Sequence, residues 1–276
     1  MTGVPTHRMA LGIEYTGTRF YGWQKQPDQR TVQTELEKAL SRFVIEPVAT
    51  ICAGRTDTGV HAVSQVVHID VACRRGEANW IRGVNTFLPP DVAVRWAREV
   101  DADFSARFSA VRRTYEYWIY NNPIRSPVFD ALTGWVWRPL DADRMREAGL
   151  SLLGKHDFTS FRAADCQAAT PVRTVTDVSV ERFGPLVCIR ISADAFFAAH
   201  GPQYRRILGL CRNGTRIRRL DRRRSQGPQS CRCRSDVFGL RIVFDGCTVS
   251  GKIPPAVCRP VAVAGGGVGD LTQFVE

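Results

Sequence analysis

The sequence lacks long hydrophobic runs and clusters of metal-binding residue types. No apolar segment approaches the roughly 20 residues that a membrane-spanning helix requires, and residues 1–8 lack the apolar centre of a signal peptide. Cys231 and Cys233 are separated by one residue and have no second ligand pair, so their spacing is not that of a zinc site. Lone histidines such as His61 and His68 are usually structural. We therefore predict a cytoplasmic protein with no membrane association and no bound metal.

The cysteine content also argues against a disulfide framework. The nine cysteines are an odd number without regular spacing, which indicates free thiols in a reducing compartment. With 44% hydrophobic and 24% charged residues the composition is that of a globular protein, and 276 residues are enough for two domains.

Positive charge is present in excess but is unevenly distributed. The formal net charge is +11, which favours a nucleic-acid partner. Residues 1–196 contain 24 Lys and Arg against 22 Asp and Glu, whereas residues 197–276 contain 14 against 5. Most of the basicity therefore lies in the C-terminal tail.

Hydrophobic periodicity predicts two successive rounds of strands and helices. The first round has the order βαββαβ, with strands at residues 9–16, 48–52, 65–71 and 92–100, a helix capped by Thr31 that ends near Glu46, and a helix at 77–87. The second round has strands at 112–121, 173–183 and 186–192 and a helix at 141–153. This repetition predicts an α+β fold of two duplicated halves, each with an antiparallel sheet of split βαβ character.

The most informative segment is residues 52–62, Cys-Ala-Gly-Arg-Thr-Asp-Thr-Gly-Val-His-Ala. It follows a short apolar run and places Asp57 among glycines and small residues, as in an irregular loop at a strand end. Glycines let the backbone approach a ligand closely, and Arg55 is suited to bind an anionic backbone or to fill the gap left by an extruded base. The alternative interpretation is a simple turn in which Asp57 accepts local backbone hydrogen bonds.

Ordered matches on both sides of this segment carry a family resemblance. Over residues 8–196 the sequence resembles the tRNA pseudouridine synthase A family, in segments that include 11–15, 20–24, 32–33, 52–62, 83–85, 88–89, 104–110, 113–117, 119–121, 154–162 and 193–196. The resemblance implies two pseudo-symmetric ferredoxin-like domains, residues 1–108 and 109–276, with a central catalytic cleft. It also implies a homodimer that works without a cofactor.

The same resemblance implies a reaction and site residues. The activity would convert uridine to pseudouridine at positions 38 to 40 of the tRNA anticodon stem-loop, with Asp57 as the catalytic carboxylate. Asp57 suits attack on the sugar or on the uracil ring, and the sequence leaves both open. Tyr115 matches the tyrosine that stacks on the target base, and Arg55 would contact the substrate. From strand periodicity alone, the aromatic residues at 115 and 117 are more typical of a core. We retain that interpretation for Tyr117.

The family pattern stops after about residue 196, where a helix and a closing strand are expected but not found. Removal of one base near codon 197 would shift the reading frame of everything that follows. With allowed codons, the shifted frame gives family-like segments at residues 196–209, at 219–228 and from Gly239. We therefore interpret residues 197–276 as out of frame through a one-base insertion, or as disordered. Arg205 and Arg206 do not match the family arginine that pairs with the catalytic carboxylate, so no role is assigned to them.

The tail leaves open both the role of its Arg-rich run and the function of the chain. The Arg-rich run at 214–234 is either an accident of the shifted frame or a disordered basic arm that binds RNA. The chain is accordingly an enzyme, a non-catalytic RNA-binding protein, or an inactive frameshifted member of the family. A pseudouridine assay on unmodified tRNA separates the enzyme from the RNA-binding protein.

Overall fold

The structure, a computed structural model, describes residues 6–157, 172–195 and 241–249, the last of these by backbone only. Its strands are β1 (His7–Tyr15), β2 (Ile51–Cys52), β3 (His61–Val71), β4 (Val92–Val100), β5 (Ala110–Asn121), β6 (Gly134–Val136), β7 (Gly154–Asp157), β8 (Val172–Phe183), β9 (Leu186–Ala193) and β10 (Arg241–Val249). Its α-helices are α1 (Val32–Val44), α2 (Glu77–Phe87) and α3 (Ala142–Leu150). None of the helices in these ranges is long and apolar enough to cross a membrane.

The strands form one mixed sheet in the order β4-β1-β3-β10-β5-β9-β8-β7, with β2 added to β3 and β6 added to β5. Most neighbours are antiparallel, but β10 runs parallel to β3 and β6 runs parallel to β5. The fold is therefore a mixed α/β arrangement in which both antiparallel and parallel pairings occur.

Strand β10 joins the two halves of the sheet, which the sequence predicted as separate sheets. It pairs antiparallel with β5 along most of its length and parallel with β3 at Val243–His61 and Phe244–Ala62. No closing strand was predicted after residue 196, and the structure differs at residues 241–249. The Arg-rich run at 214–234 lies outside the described residues.

The first half of the molecule, from β1 to β4, builds its core between its strands and helices α1 and α2. The first core consists of buried residues from β1, β3, β4, α1 and α2 and from the adjoining loops, among them Leu11, Ile13, Leu36, Leu40, Val66, Ile69, Trp80, Val84 and Val94. The observed element order is the predicted βαββαβ, and the bounds of α2 and β4 agree with the prediction. Alternating apolar residues locate the strands, and apolar residues at helical spacing locate the helices. Both patterns arise because the strands and the helices bury their apolar faces against each other.

Helix α1 begins and ends at positions with identifiable backbone chemistry. Thr31 Oγ1 accepts a hydrogen bond from the Thr34 amide at 3.3 Å, which satisfies one donor in the first turn. The helix ends at Ile45, which has φ of 66° in the left-handed region, and its amide donates to the Ser41 carbonyl at 2.9 Å. A β-branched residue is strained in this conformation.

The second half packs one helix against β5, β8 and β9. The second core includes Tyr117, Ile119, Met145, Val178, Val180, Val187, Ile189 and Ile191, with Val60 contributed by the first half. The prediction that Tyr117 is a core residue is therefore confirmed. Helix α3 starts after Asp141, whose carboxylate accepts from the amides of Asp143 and Arg144.

Several predicted boundaries differ from the structure. Strand β3 begins at His61 rather than at residue 65, and two further differences have hydrogen bonds as their cause. The predicted strand at 48–52 is reduced to Ile51–Cys52, because Ser41 Oγ accepts from the Val48 amide and Glu37 Oε1 accepts from the Thr50 amide. The predicted helix at 141–153 ends at Leu150, and the next amides donate to carbonyls three residues earlier.

Candidate active site

The loop that carries Asp57 connects β2 to β3. Strands β2 and β3 are antiparallel neighbours, with Cys52 opposite Val67. The Ala53 amide continues this pairing by donating to the Val66 carbonyl at 2.8 Å. Residues 53–60 therefore project from a fixed strand end, as the sequence predicted.

Thr56, directly before Asp57, anchors the loop to the first half. It is only 6% exposed, and its hydroxyl lies 2.7 Å from the hydroxyl of Tyr15 on β1. The Thr56 carbonyl accepts a hydrogen bond from the Trp23 amide at 2.9 Å. Since both bonds are made by well-buried partners, the backbone next to Asp57 is held from two directions.

Glycines bring the segment at 17–24 into direct backbone contact with this loop. Gly22 has φ of +83°, and a Cβ there would lie 2.7 Å from the Thr56 carbonyl oxygen. At Gly17 a Cβ would lie 2.0 Å from the carbonyl oxygen of Val60. No side chain fits at either position without movement of the loop, which gives a physical reason for the Phe-Tyr-Gly-Trp-Gln segment noted in the sequence.

Asp57 itself is partly buried and begins a turn. Its carbonyl accepts a hydrogen bond from the Val60 amide at 3.1 Å, and Gly59 has φ of 79°. The simple-turn interpretation is thus correct for the backbone. Val60 packs into the second core, whereas Ala53 at the other end of the loop packs into the first. Asp57 is therefore carried on a loop whose two ends rest on different cores.

Tyr115 lies on β5 and packs against both cores. Burial raises the pKa of the Tyr15 hydroxyl, and the nearby Cys52 and Tyr115 add to this rise. Tyr115 is thus close enough to Tyr15 to influence its ionisation. Because Tyr15 is hydrogen-bonded to Thr56, Tyr115 lies near one of the residues that anchor the Asp57 loop.

Arginine side chains surround Cys52 at the start of the loop. Burial raises the pKa of the Cys52 thiol to about 11, and the guanidinium groups of Arg55, Arg107 and Arg113 oppose this rise. Arg55 is exposed, two residues from Asp57. The edge of the sheet beside Asp57 is therefore cationic, which suits an anionic ligand such as a phosphate backbone.

The two histidines singled out in the sequence are both buried. His61 Nδ1 accepts a hydrogen bond from the Gly17 amide at 3.3 Å, and His68 Nδ1 accepts from the Ala106 amide at 3.1 Å. Burial lowers the pKa of the His68 imidazole. Both contacts are to backbone, as the structural interpretation of these residues predicted.

The described residues also bear on the metal interpretation. Among residues 6–157 and 172–195, no group of three or more His, Cys, Asp or Glu side chains is placed to hold a metal ion. Cys52 and Cys73 are free thiols in this part of the chain. Cys231, Cys233, Arg205 and Arg206 lie outside the described residues.

The amino-acid sequence was compared with protein families and with known proteins. The family model described as tRNA pseudouridine synthase matches residues 12–109 and 148–201. The tRNA pseudouridine synthase A of Janthinobacterium sp. (strain Marseille) is 50% identical over 195 residues, which cover 68% of this chain and 72% of the relative. The chain belongs to the tRNA pseudouridine synthase family.

Other similar proteins have the same name. The tRNA pseudouridine synthase A proteins of Enterobacter sp. (strain 638) and of Escherichia coli O1:K1 / APEC are each 52% identical over 192 residues, covering 70% of this chain and 71% of the relative. Among solved structures, a chain of the archaeal box H/ACA sRNP Nop10-Cbf5 complex aligns with a TM-score of 0.34 and 11% identity over 73% of this chain and 43% of that chain. That similarity is too low to support an argument.

The family match covers some of the predicted site residues. Arg55 and Asp57 lie inside the matched range 12–109, whereas Tyr115 lies between the two matched ranges. The resemblance to a tRNA pseudouridine synthase that the sequence motifs indicated is confirmed. The individual roles of Asp57, Arg55 and Tyr115 stay predictions.

Several residues that shape the site had no predicted role. Tyr15, Gly22 and Arg113 all belong to segments noted for their resemblance, but no local pattern showed that they converge on the loop at 53–60. The contact between Tyr15 and Thr56 spans 41 positions along the chain. Only the pairing of β1 with β3 brings these residues together.

Proposed function

We propose that this chain is an enzyme that isomerises uridine to pseudouridine in tRNA, with Asp57 as its catalytic carboxylate. The observation that carries the proposal is the partly buried Asp57 on an anchored loop, beside a cationic edge, in a chain of the tRNA pseudouridine synthase family. The reaction breaks the bond from C1′ of the ribose to N1 of uracil and joins C1′ to C5. The C5 proton is released and N1 takes up a proton, so the product is an isomer of the substrate. It neither oxidises nor reduces the substrate.

Asp57 supplies the chemistry that such an isomerisation needs. A carboxylate can act as a nucleophile or stabilise positive charge on the sugar, and it can move a proton. The target nucleoside must leave its stack first, which costs a few kcal/mol. Stacking on Tyr115 would return about 1–3 kcal/mol, and Arg55 would contact a phosphate or the vacated space. Asp57, Tyr115 and Arg55 are thus the proposed site residues.

The finer features implied by the resemblance belong to the same proposal. The substrate site would be the anticodon stem-loop at positions 38 to 40. The chain would form two ferredoxin-like domains, residues 1–108 and 109–276, with the catalytic cleft between them, and would act in the cytoplasm as a homodimer. The placement of the Asp57 loop between two cores supports a division of this kind.

The test is replacement of Asp57 by Asn. The carboxamide keeps the size of the side chain but cannot act as nucleophile or base, so we expect pseudouridine formation to be abolished with tRNA affinity largely retained. Product is measured as tritium released from tRNA labelled at uracil C5, and affinity by filter binding. Asp177→Asn, at an exposed position on β8, is the matched control and should retain full activity.

The same assay separates the rival interpretations. Pseudouridine formation by Asp57→Asn would remove Asp57 from its catalytic role. A wild-type chain that binds tRNA without releasing tritium would instead support a non-catalytic RNA-binding protein. A chain that neither binds nor reacts would indicate an inactive member of the family.

A further inference from the structure

Arg113 lies near the start of β5, and all its hydrogen bonds within the described residues are to main-chain carbonyls. Its Nε and Nη2 donate to the Ala53 carbonyl at 3.1 and 2.7 Å, and Nη1 donates to the Asp194 carbonyl at 2.9 Å. A longer bond of 3.4 Å from Nη2 reaches the Arg107 carbonyl. One guanidinium group thus connects three separate segments.

These three segments meet at the boundary between the two halves. Ala53 is the first residue of the Asp57 loop, Asp194 follows directly after β9, and Arg107 lies between β4 and β5. Every anchor described above for Thr56 comes from the first half. Arg113, by contrast, belongs to the second half and holds the start of the same loop through the Ala53 carbonyl.

The direction of the Arg113 side chain relates this contact to Tyr115. Successive side chains in a strand point to opposite faces, so residues 113 and 115 share a face of β5. The β5–β9 pairing is regular from Arg113 to Tyr120, which keeps this alternation intact. A rigid guanidinium between Ala53 and β5 therefore fixes the separation between the Asp57 loop and the strand that carries Tyr115.

We infer that Arg113 is a positioning residue that sets Asp57 against Tyr115 for the reaction. The inference rests on the proposed function, since it assigns a role in that same site. Arg113 does not need to touch the substrate. It acts through the Ala53 carbonyl, which it orients while the buried Ala53 amide is held by Val66.

Lysine cannot replace this arrangement. An ammonium group is a point charge with a compact set of donors, whereas the planar guanidinium reaches carbonyls on both of its sides at once. Arg113→Lys keeps the positive charge beside Cys52 but loses the planar set of N–H donors that bonds to the two sides. The variant therefore separates positioning from general attraction of RNA.

Arg8 offers a structural control for the same kind of contact. Its guanidinium donates to the carbonyls of Ala102 and Phe104 at 2.6 and 2.7 Å and pairs with Asp70. It fixes the connection between β4 and β5 from the first half and makes no hydrogen bond to residues 53–60 within the described chain. Arg8→Lys should cost stability without altering the chemical step.

The experiment measures single-turnover rates at saturating tRNA for Arg113→Lys, Arg113→Gln, Arg8→Lys and Arg112→Lys. Arg112 is exposed on the opposite face of β5 and controls for the position in the strand. Because misplacement by about 1 Å can cost roughly 100-fold in rate, we expect Arg113→Lys to lose about 10–100-fold while its affinity for tRNA changes about threefold or less. Arg112→Lys and Arg8→Lys should react at the wild-type rate when folded.

Each outcome decides the inference. Circular dichroism establishes that every variant is folded at the assay temperature. Wild-type rates in folded Arg113→Lys and Arg113→Gln, or an equal loss of rate in Arg8→Lys, would overturn it. Failure of both Arg113 variants to fold would also overturn it, because the residue would then be purely structural. An inactive wild type overturns the proposed function as well, whereas an active wild type with active Arg113 variants overturns this inference alone.

Discussion

Among the residues that the structure describes, the first half of the molecule has the larger core. Two helices pack on β1, β3 and β4, and the first core contains roughly twice as many described residues as the second. The described part of the second half has only α3, and it leaves large apolar side chains exposed, including Ile124, Val128, Leu132, Trp137 and Phe183. Within the described part of the chain, the Asp57 loop is thus built on the half with the larger core.

This contrast explains how the site is supported. Among the described residues, the rigid partners of the loop in the first half are Tyr15, Trp23 and Val66, whereas Arg113 and the contact of Val60 connect it to the second half. Asp57 should therefore depend on the first half for its position and on the second half for its alignment with Tyr115.

The largest expected effect comes from matched Leu→Ala changes in the two cores. Leu36 is 0% exposed and Leu152 is 9% exposed, so deletion of the first leaves a more enclosed cavity. We expect Leu36→Ala to lower the free energy of unfolding by about 3–5 kcal/mol and Leu152→Ala by about 2 kcal/mol. Urea unfolding followed by fluorescence measures both. Equal losses would contradict the claim that the halves differ in packing.

A smaller effect should follow acidification, through the pair of Arg30 and Asp91. The guanidinium nitrogens lie 2.7 and 2.9 Å from the carboxylate oxygens, and the hydrogen bond from Arg30 holds the pKa of Asp91 below its usual value. The pair links the segment before α1 to the start of β4. Its stabilising contribution is complete above the unfolded-state pKa of about 4 and is lost as the pH falls toward the lower folded-state pKa.

The measurement compares wild type with Asp91→Asn in urea at pH 6 and at pH 3. We expect the difference in the free energy of unfolding between the two proteins to shrink at the lower pH. Asp130→Asn is the control, since the ion pair of Asp130 with Arg125 in the second half is longer, at 3.8 Å, and largely exposed. A difference that stays constant with pH would show that Asp91 contributes through something other than its charge.

The smallest effect concerns the end of α1. Ile45 is 87% exposed and has a left-handed backbone, so its side chain makes little compensating contact. Ile45→Gly should raise the free energy of unfolding by about 1 kcal/mol because glycine adopts this conformation without strain. Thermal unfolding detects the rise. A lower melting temperature would mean that the exposed isoleucine stabilises the first half in some other way.

Local patterns predicted elements of both halves. Thr31 as the cap of α1, the bounds of α2 and β4, and the burial of Tyr117 are all evident from residue types and periodicity. The prediction for β2 was wrong because Glu37 and Ser41 accept from amides that a strand would have offered to its neighbour. Such competition depends on residues that are distant in sequence, and no local period reveals it.

The tail remains the least predictable part. The structure places β10 at 241–249 between β3 and β5, where no closing strand was predicted. The hypothesis of a one-base insertion near codon 197 stays a prediction. The gene sequence is its test, and a reading frame without an additional base at that point would contradict it.

The sequence by itself determined the family, the position of Asp57 at a strand end, and most of the helices and strands. These follow from residue types and from contacts between neighbours in the chain. Only the tertiary structure showed that Tyr15, Gly22 and Arg113 converge on residues 53–60, because hydrogen bonds across 41 to 60 positions depend on strand pairing. The carboxylate was evident from the sequence, but the groups that hold its loop became evident only from the fold.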